Sequence, residues 1–306
     1  MKIVYLGTSE FASHILERLV HNGARPSLVV TTPDAPAGRS LKPSPSPVKV
    51  ASQKLRLPCM QPEKLNKEAV ARIKEENPDL LILAAYGKIL PKELLEVPKK
   101  GALNIHPSLL PKFRGPSPVQ SFLLSEEEET GVTLMLMDEE VDHGPVIVQK
   151  ICKVEGRPTA EELKNQLAEV GADLLIETLP LWIEGKIEAK EQKHKEATYT
   201  TSFEREDGRI DWEKPAEYIE RQVRALYPWP GTSAEHETGG IKVLSSRIQE
   251  SEGEPGTIFK TSSGELGVYC LKDALVVEKL QPANRNPMPS RDFLLGHKEI
   301  IGTKFK

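Results

Sequence analysis

Asn104 and His106 stand two residues apart in the segment GALNIHPSLLPKFRGPSPVQ, residues 101–120. The start of this segment reads as a buried strand, and alternate residues of a strand share a face, so the two side chains point the same way. An amide and an imidazole side by side can donate two hydrogen bonds to one oxygen, which is the equipment for holding an oxyanion in acyl transfer. Asp142 follows a second apolar run, VTLMLM at 132–137, in the turn 138–145. If the two runs are neighbouring strands, Asp142 reaches His106, and a carboxylate there favours the charged ring and fixes its orientation. No Ser, Cys or Lys stands in a comparable arrangement as a nucleophile. The set therefore suits attack by a substrate's own amine, without a covalent enzyme intermediate. The same residues also fit a plainer role, a loop histidine satisfied internally and an asparagine that caps a turn. His143 beside Asp142 raises the question of a metal, but no second His or Cys sits at ligand spacing, so none is expected.

These groups need elements to position them. Residues 2–6 (KIVYL) form a short β-prone run that stops at Gly7. Residues 9–20 carry Phe11, Ile15, Leu16 and Leu19 on one helical stripe, with Ser9 as the N-cap. Residues 27–32 (SLVVTT) read as a second strand, giving a βαβ unit. A helical stretch at 67–76 and apolar strands at 79–85, 101–105 and 132–137 continue the alternation. The class is α/β, a Rossmann-like, mostly parallel sheet with helices on both faces. Ligands of such sheets sit beyond the carboxyl ends of the strands, where Asn104 and His106 fall. The first turn, GTSEF at 7–11, has one glycine and then a bulky Phe11. A dinucleotide site needs closer backbone approach than this, so NAD and FAD are not expected.

The rest of the chain reads differently. A helix at 160–179 leads to a stretch at 188–206 that is rich in Lys, Glu and Thr, has no apolar period, and reads as a linker. A helix at 215–226 buries Ile219, Val223 and Leu226 and cannot pass Pro228. Strand candidates at 241–247, 256–260, 267–271 and 274–280 suggest a small sandwich or barrel. The expected division is a catalytic domain at 1–187, a linker at 188–206 and a second domain at 207–306. The acidic run at 126–129 reads as a solvated turn.

The 306 residues carry 41 Lys and Arg against 45 Asp and Glu, a net charge of −4. That excludes a polybasic nucleic-acid scaffold, though not a local basic patch, and DNA is not an expected partner. Residues 207–306 hold 14 basic and 15 acidic side chains, and residues 1–206 hold 27 and 30, so neither part is basic. Residues 31–50 concentrate prolines at 33, 36, 43, 45 and 47 together with Arg39, Lys42 and Lys49. A long irregular insertion of this kind either clamps a phosphate-bearing substrate, with Arg39 forking onto phosphate, or is a rigid connector. No apolar run approaches the ~18 residues of a membrane span. Cys59, Cys152 and Cys270 form neither a zinc knuckle nor a disulfide framework, and cytoplasm is the default.

Together these segments resemble the methionyl-tRNA formyltransferases nearly end to end. GTSEFA is similar to that family's first turn, TTPDAPAGRSLKPSPSPVK to its insertion loop, and AAYGKILP to the loop after its central strand. NIHPSLLPKFRGPSPVQ and TGVTLMLMDEEVDHG resemble its active-site signature. ATYTTSF, RIDW, VRALYPWPGT, PGTIF and LQPANRNPMPSRDFLLGH resemble its C-terminal part. The Asn-x-His and the distant Asp belong to a wider folate-dependent formyltransferase superfamily.

The resemblance implies transfer of the formyl group of 10-formyltetrahydrofolate to the amino group of methionine on initiator tRNA. It implies that Asn104 and His106 polarise the formyl oxygen, and that Asp142 pairs with His106 and helps move the amine's proton. Ser108, Leu109, Leu110 and Pro111 match the family's folate-contacting segment. Loops 84–90, with Tyr86, and 135–142 would wall the pterin pocket. Arg39 and Lys42 would grip the acceptor end of the tRNA, and an OB-like β-barrel in the second domain would cradle its arm. A monomer without a metal is implied. The nearest enzyme alternatives, acting on a nucleotide-linked amino sugar or a glycinamide ribotide, fit the second domain and insertion loop less well. An intact Asn104, His106 and Asp142 argue against a noncatalytic relative. The chain departs from the family at Asp142-His143-Gly144-Pro145, where Asp-Thr-Gly-Asp is common. It also departs at Pro107, at Phe113, and at Ser40 and Leu41 in the insertion loop.

Overall fold

The apolar runs of the first half become the interior strands of one sheet. A computed structural model of the chain describes residues 1–37 and 42–306. In order, the elements are β1 (Ile3–Gly7), α1 (Glu10–His21), β2 (Leu28–Val30), β3 (Ala35–Ala37), β4 (Lys42–Ser44), α2 (Pro47–Lys54), β5 (Cys59–Met60) and α3 (Lys67–Glu75). There follow β6 (Leu80–Ala84), α4 (Lys92–Leu95), β7 (Ala102–His106), α5 (Pro118–Leu124), β8 (Thr130–Leu136), β9 (Val146–Cys152) and α6 (Ala160–Ile183). The seven strands of the main sheet lie in the order β5-β2-β1-β6-β7-β8-β9. The first five are parallel, while β8 and β9 run antiparallel. The strand order reverses between β1 and β6, and the crevice of an open α/β sheet lies at such a switch.

Local chemistry explains these boundaries. Ser9 caps α1 by accepting from the Ala12 amide, and Asn66 caps α3 by accepting from the Ala69 amide. Thr159 and Glu162 form a reciprocal capping box at the start of α6, with Thr159 N 2.8 Å from the Glu162 carboxylate. The two bonds from Thr159 hold that carboxyl below its usual value. Val70 and Ile73 of α3 pack with Val4, Leu6, Leu81 and Leu83 on one face of the sheet. On the other face Gly171 of α6 lies against Ile105 and Ile15, with no room for a side chain. The proline-rich stretch is more ordered than an irregular insertion. Its described residues form the β3–β4 hairpin and then α2, which starts at Pro47 behind an N-cap from Ser46.

One compact unit holds Met1–Pro118, Glu128–Val154 and Leu163–Thr201, and a second holds Val119–Glu127, Glu155–Glu162 and Ser202–Lys306. Residues 188–201 of the stretch read as a linker thus fall in the first unit. Lys190 and Val146 exchange both backbone hydrogen bonds, at 2.7 and 2.8 Å. A polar segment without apolar period can be fixed by hydrogen bonds from its backbone and polar side chains, which the residue pattern does not disclose.

The second unit contains α7 (Ala216–Leu226), β10 (Thr232–Ala234), β11 (Ile241–Gln249), β12 (Ile258–Lys260), β13 (Leu266–Tyr269), β14 (Ala274–Pro282), β15 (Met288–Pro289) and α8 (Ser290–Gly296). Its antiparallel sheet runs β10-β11-β14-β13-β12, with β15 on β14. This agrees with the OB-like expectation, and among the described residues the edge strands β10 and β12 do not pair with each other. Ile219 and Val223 of α7 share one core with Ile241, Val243, Leu275, Val277 and Leu280. No helix among the described residues is long and apolar enough to cross a membrane.

Candidate active site

A cavity of about 460 Å³ opens beyond the ends of β6 and β7. Residues 85–90, the 104–107 strand end, Gly115, Pro116 and residues 137–142 line it. Asn104 and His106 lie on the same side of β7, as the alternation requires, and His106 is 4% exposed. Pairing of β7 with β8 then brings the turn after β8 back over them.

Asp142 is the hub. Its Oδ1 accepts from Asn104 Nδ2 at 3.2 Å and lies 3.5 Å from His106 Nδ1. Its Oδ2 accepts from the Gly115 amide at 2.8 Å. On its other edge His106 meets the Phe113 carbonyl, with Nε2 at 3.0 Å. A carbonyl only accepts, so Nε2 carries a proton. Nδ1 is then the ring nitrogen that faces Asp142. Asn104 has a second N–H beyond the one donated to Asp142, and that N–H is available to a substrate oxygen.

The backbone around the cavity departs from ordinary geometry. Ala85, Phe113 and Asp142 all have positive φ, at 41°, 60° and 49°. Non-glycine residues adopt this region at a cost of roughly 1–3 kcal/mol each, and such residues cluster at functional sites. Asp tolerates it best, because its short polar side chain bonds locally. Here the conformation turns the Asp142 carboxylate toward β7 and the Phe113 carbonyl toward His106. Gly144 is the tight point of the same turn. A Cβ there would lie 2.0 Å from the Leu136 carbonyl oxygen. Gly144→Ala is expected to destabilise the protein by about 1–3 kcal/mol, the range for overpacking. Urea unfolding checks this, and an unchanged midpoint would mean the turn yields freely.

Two residues that the sequence reading did not single out support the site. Arg114 is 1% exposed and donates to Gln192 Oε1 from Nε and Nη2, at 3.3 and 2.7 Å. Gln192 in turn donates to the carbonyls of Asp142 and Gly144, at 2.9 and 2.7 Å. His143 stacks on His194 with ring centroids 4.0 Å apart, and its Nδ1 lies 2.6 Å from Asp138. Arg114 and Gln192 are 78 positions apart, and no sequence signal marks their meeting.

The other expected site residues divide. Tyr86 lines the cavity and is 3% exposed, and its hydroxyl has no hydrogen-bond partner among the described residues. Burial pushes that hydroxyl up to about 12, so it stays protonated. Ser108, Leu109, Leu110 and Pro111 do not line this cavity. Their polar groups are bound elsewhere: Ser108 Oγ donates to the Lys112 carbonyl, Thr133 Oγ1 donates to the Ser108 carbonyl, and the Leu110 amide donates to Thr133. Gln149 completes that network on Leu110 and Thr133. Leu110 and Pro111 instead line a separate groove beside residues 185–193. Arg39 lies outside the described residues, as do Ser40 and Leu41, and Lys42 is described only as a backbone position in β4. Lys49 is not free for phosphate, since its Nζ lies 2.7 Å from Asp34. Hydrogen bonds from Gln61 and Lys49 hold the Asp34 carboxyl low. Among the described residues no group of three or more His, Cys, Asp or Glu side chains could hold a metal ion.

Comparison with known proteins agrees in sequence and in fold. Residues 1–179 match the formyl transferase family, and residues 203–298 match the formyl transferase C-terminal domain. Methionyl-tRNA formyltransferase of Chloroflexus aurantiacus is 41% identical over 300 residues, covering 97% of each chain. The protein of that name from Caldanaerobacter subterraneus is 40% identical over 310 residues, covering 100% of both. An N-formyltransferase of Helicobacter canadensis, solved with folinic acid and dTDP-3-aminofucose, superposes with a TM-score of 0.68 at 18% identity, over 92% of this chain and 99% of that one. HypX of Aquifex aeolicus, solved with tetrahydrofolic acid, gives 0.65 at 19% identity, over 96% of this chain. The chain spans about half the length of HypX, 47% of it. At these identities the structural likenesses speak to the fold.

Proposed function

This chain belongs to the methionyl-tRNA formyltransferase family, and we propose that it moves the formyl group of 10-formyltetrahydrofolate onto the amino group of methionine carried by initiator tRNA. The observation that carries the reading is the meeting of Asn104 and His106 at one oxygen of Asp142, on the wall of a cavity. The cavity suits a folate. Its walls are loops 85–90 and 137–142 and the end of β7, and Tyr86 brings a buried hydroxyl with no partner among the described residues.

The residues divide the work as follows. The second N–H of Asn104 meets the formyl oxygen as negative charge develops there. Electrostatic stabilisation of that kind supplies the largest share of many acyl-transfer rates. The Nδ1 edge of His106 lies beside Asn104 on the same carboxylate oxygen and faces the same oxygen of the substrate. Asp142 holds both donors and draws the proton from the attacking amine as the new C–N bond forms. The bond between the formyl carbon and N10 then breaks, and N10 receives a proton through the His106–Asp142 pair. Atoms balance: the amine loses one proton and N10 gains one. The residues 108–111 serve this chemistry as the packed base of the loop that carries Phe113.

The second domain and the insertion loop take the tRNA, with Arg39 and Lys42 on phosphates of its acceptor end. The protein acts as a monomer in the cytoplasm, where charged tRNA is found. The deciding assay offers 10-formyltetrahydrofolate with charged initiator tRNA, charged elongator tRNA, and a nucleotide-linked amino sugar. Formylation confined to initiator tRNA is expected. Equal transfer to the amino sugar, or none to the tRNA, would sink the reading. Within it, Arg39→Ala should weaken use of tRNA by about tenfold, the weight of one charge-assisted phosphate contact, with folate affinity unchanged. Unchanged tRNA kinetics would reduce the loop to a connector.

A further inference from the structure

Arg114 stands between two residues that touch the candidate catalytic groups. Phe113 before it offers its carbonyl to His106, and Gly115 after it donates to Asp142. Its own side chain is buried, and among the described residues its partners are neutral: Gln192 Oε1, the Tyr199 hydroxyl at 3.2 Å and His194 Nδ1 at 2.9 Å. A guanidinium only donates, so the His194 Nδ1 it meets is unprotonated and that ring is neutral. A buried cation without an anionic partner is costly, and it persists where its hydrogen bonds hold something in place.

What it holds is one short turn. Gln192 bonds the carbonyls of Asp142 and Gly144, and His194 stacks on His143 between them. Three consecutive residues of the Asp142 turn are thus gripped by two residues of the 190–200 segment. Arg114 joins those two residues to each other. The same segment is pinned to Arg114 by its backbone: Arg114 N donates to Thr198 O, and Thr200 N donates to Arg114 O, at 2.9 and 2.7 Å. We propose that Arg114 and Gln192 are positioning residues of the formyl transfer, acting by fixing the Asp142 carboxylate against Asn104 and His106. This rests on the reading of Asp142 as a reacting group.

Gln192→Glu separates positioning from packing. Glutamate keeps the acceptor for Arg114 and so keeps the buried guanidinium satisfied. It lacks the two N–H groups that hold the Asp142 and Gly144 carbonyls. Both Gln192→Glu and Gln192→Ala should lower kcat about 10–100-fold, the scale of a small misplacement of a reacting group. KM for 10-formyltetrahydrofolate should move less than about threefold, because uniform binding is untouched. In the Asp142→Ala background the Gln192 substitutions should cost almost nothing further, since residues that act as a unit are not additive.

A readout independent of turnover uses the Gly115 amide, which donates to Asp142. Its proton resonance in the full chain should shift toward a weaker hydrogen bond in Gln192→Glu. A kcat within threefold of wild type, full multiplicative losses in the double variant, or an unmoved Gly115 amide would each overturn the proposal. So would general unfolding of both Gln192 variants, which would make the role one of stability alone. A wild-type chain that formylates no charged tRNA would sink the functional reading instead, and the Gly115 amide would still decide whether Gln192 sets the position of Asp142.

Discussion

Asp142→Ala is expected to lower turnover by at least ~100-fold, the range for losing a positioned proton-transfer group. That factor corresponds to about 2.7 kcal/mol of transition-state stabilisation. Three groups lose their common partner in this variant: the Asn104 amide, the His106 ring and the Gly115 N–H. The loss should fall on kcat, because the cavity walls from residues 85–90 and 137–141 remain. Single-turnover formylation of charged initiator tRNA measures the chemical step directly. Asp142→Asn sharpens the test. It keeps an acceptor for the Gly115 amide, so the turn stays in place, but it removes the charge that the proposed mechanism assigns to the amine's proton. A comparable loss in Asp142→Asn assigns the effect to charge. Near-wild-type turnover in either variant would remove Asp142 from the mechanism.

Asn104→Ala is expected to cost about 10²–10³ in kcat, the measured scale for deleting one oxyanion donor. Asn104 is half-buried on β7, and one of its two N–H groups is already held by Asp142. The amide is therefore aimed before substrate arrives, which is why its loss should exceed that of an ordinary exposed hydrogen bond. Asn104→Asp should lose more than Asn104→Ala. It sets a second carboxylate within reach of Asp142 Oδ1, and two like charges at that distance cannot both ionise. Steady-state kinetics across pH, with folate-analogue binding as a control for the cavity, checks the order. If Asn104→Ala keeps most of its turnover, the oxyanion is held by other donors. If Asn104→Asp equals Asn104→Ala, the charge at Asp142 is not the one that matters.

Some of the site was legible because strand alternation is a local rule. Asn104 and His106 share a face in any strand that includes both. Asp142 follows from the same logic at one remove, since it lies in the turn after an apolar run that pairs with theirs. The helix cap at Ser9 is legible for the same reason, because a hydroxyl three residues before an amide is a short-range arrangement. Ser46 caps α2 in the same way, but five prolines between residues 33 and 47 give that stretch the composition of irregular chain. The contact role expected for residues 108–111 did not appear at the cavity. Whether a loop faces a pocket or its own supporting strand depends on the hydroxyl of Thr133 and the amide of Gln149, which lie on other strands.

The class of sheet, the shared face of Asn104 and His106, and a carboxylate within reach of that face were legible in the residues alone. All of these follow from periods of two or 3.6 residues and from the residue types that end them. Only the tertiary structure decided three further things. It placed Asp142, Phe113 and Ala85 in left-handed backbone, brought Gln192 under the Asp142 turn, and buried Arg114 among neutral partners. The physical reason is common to all three. A polar residue carries no hydrophobic period to announce where it packs, and its hydrogen-bond partner is set by distance in space, here across 50 and 78 residues of chain.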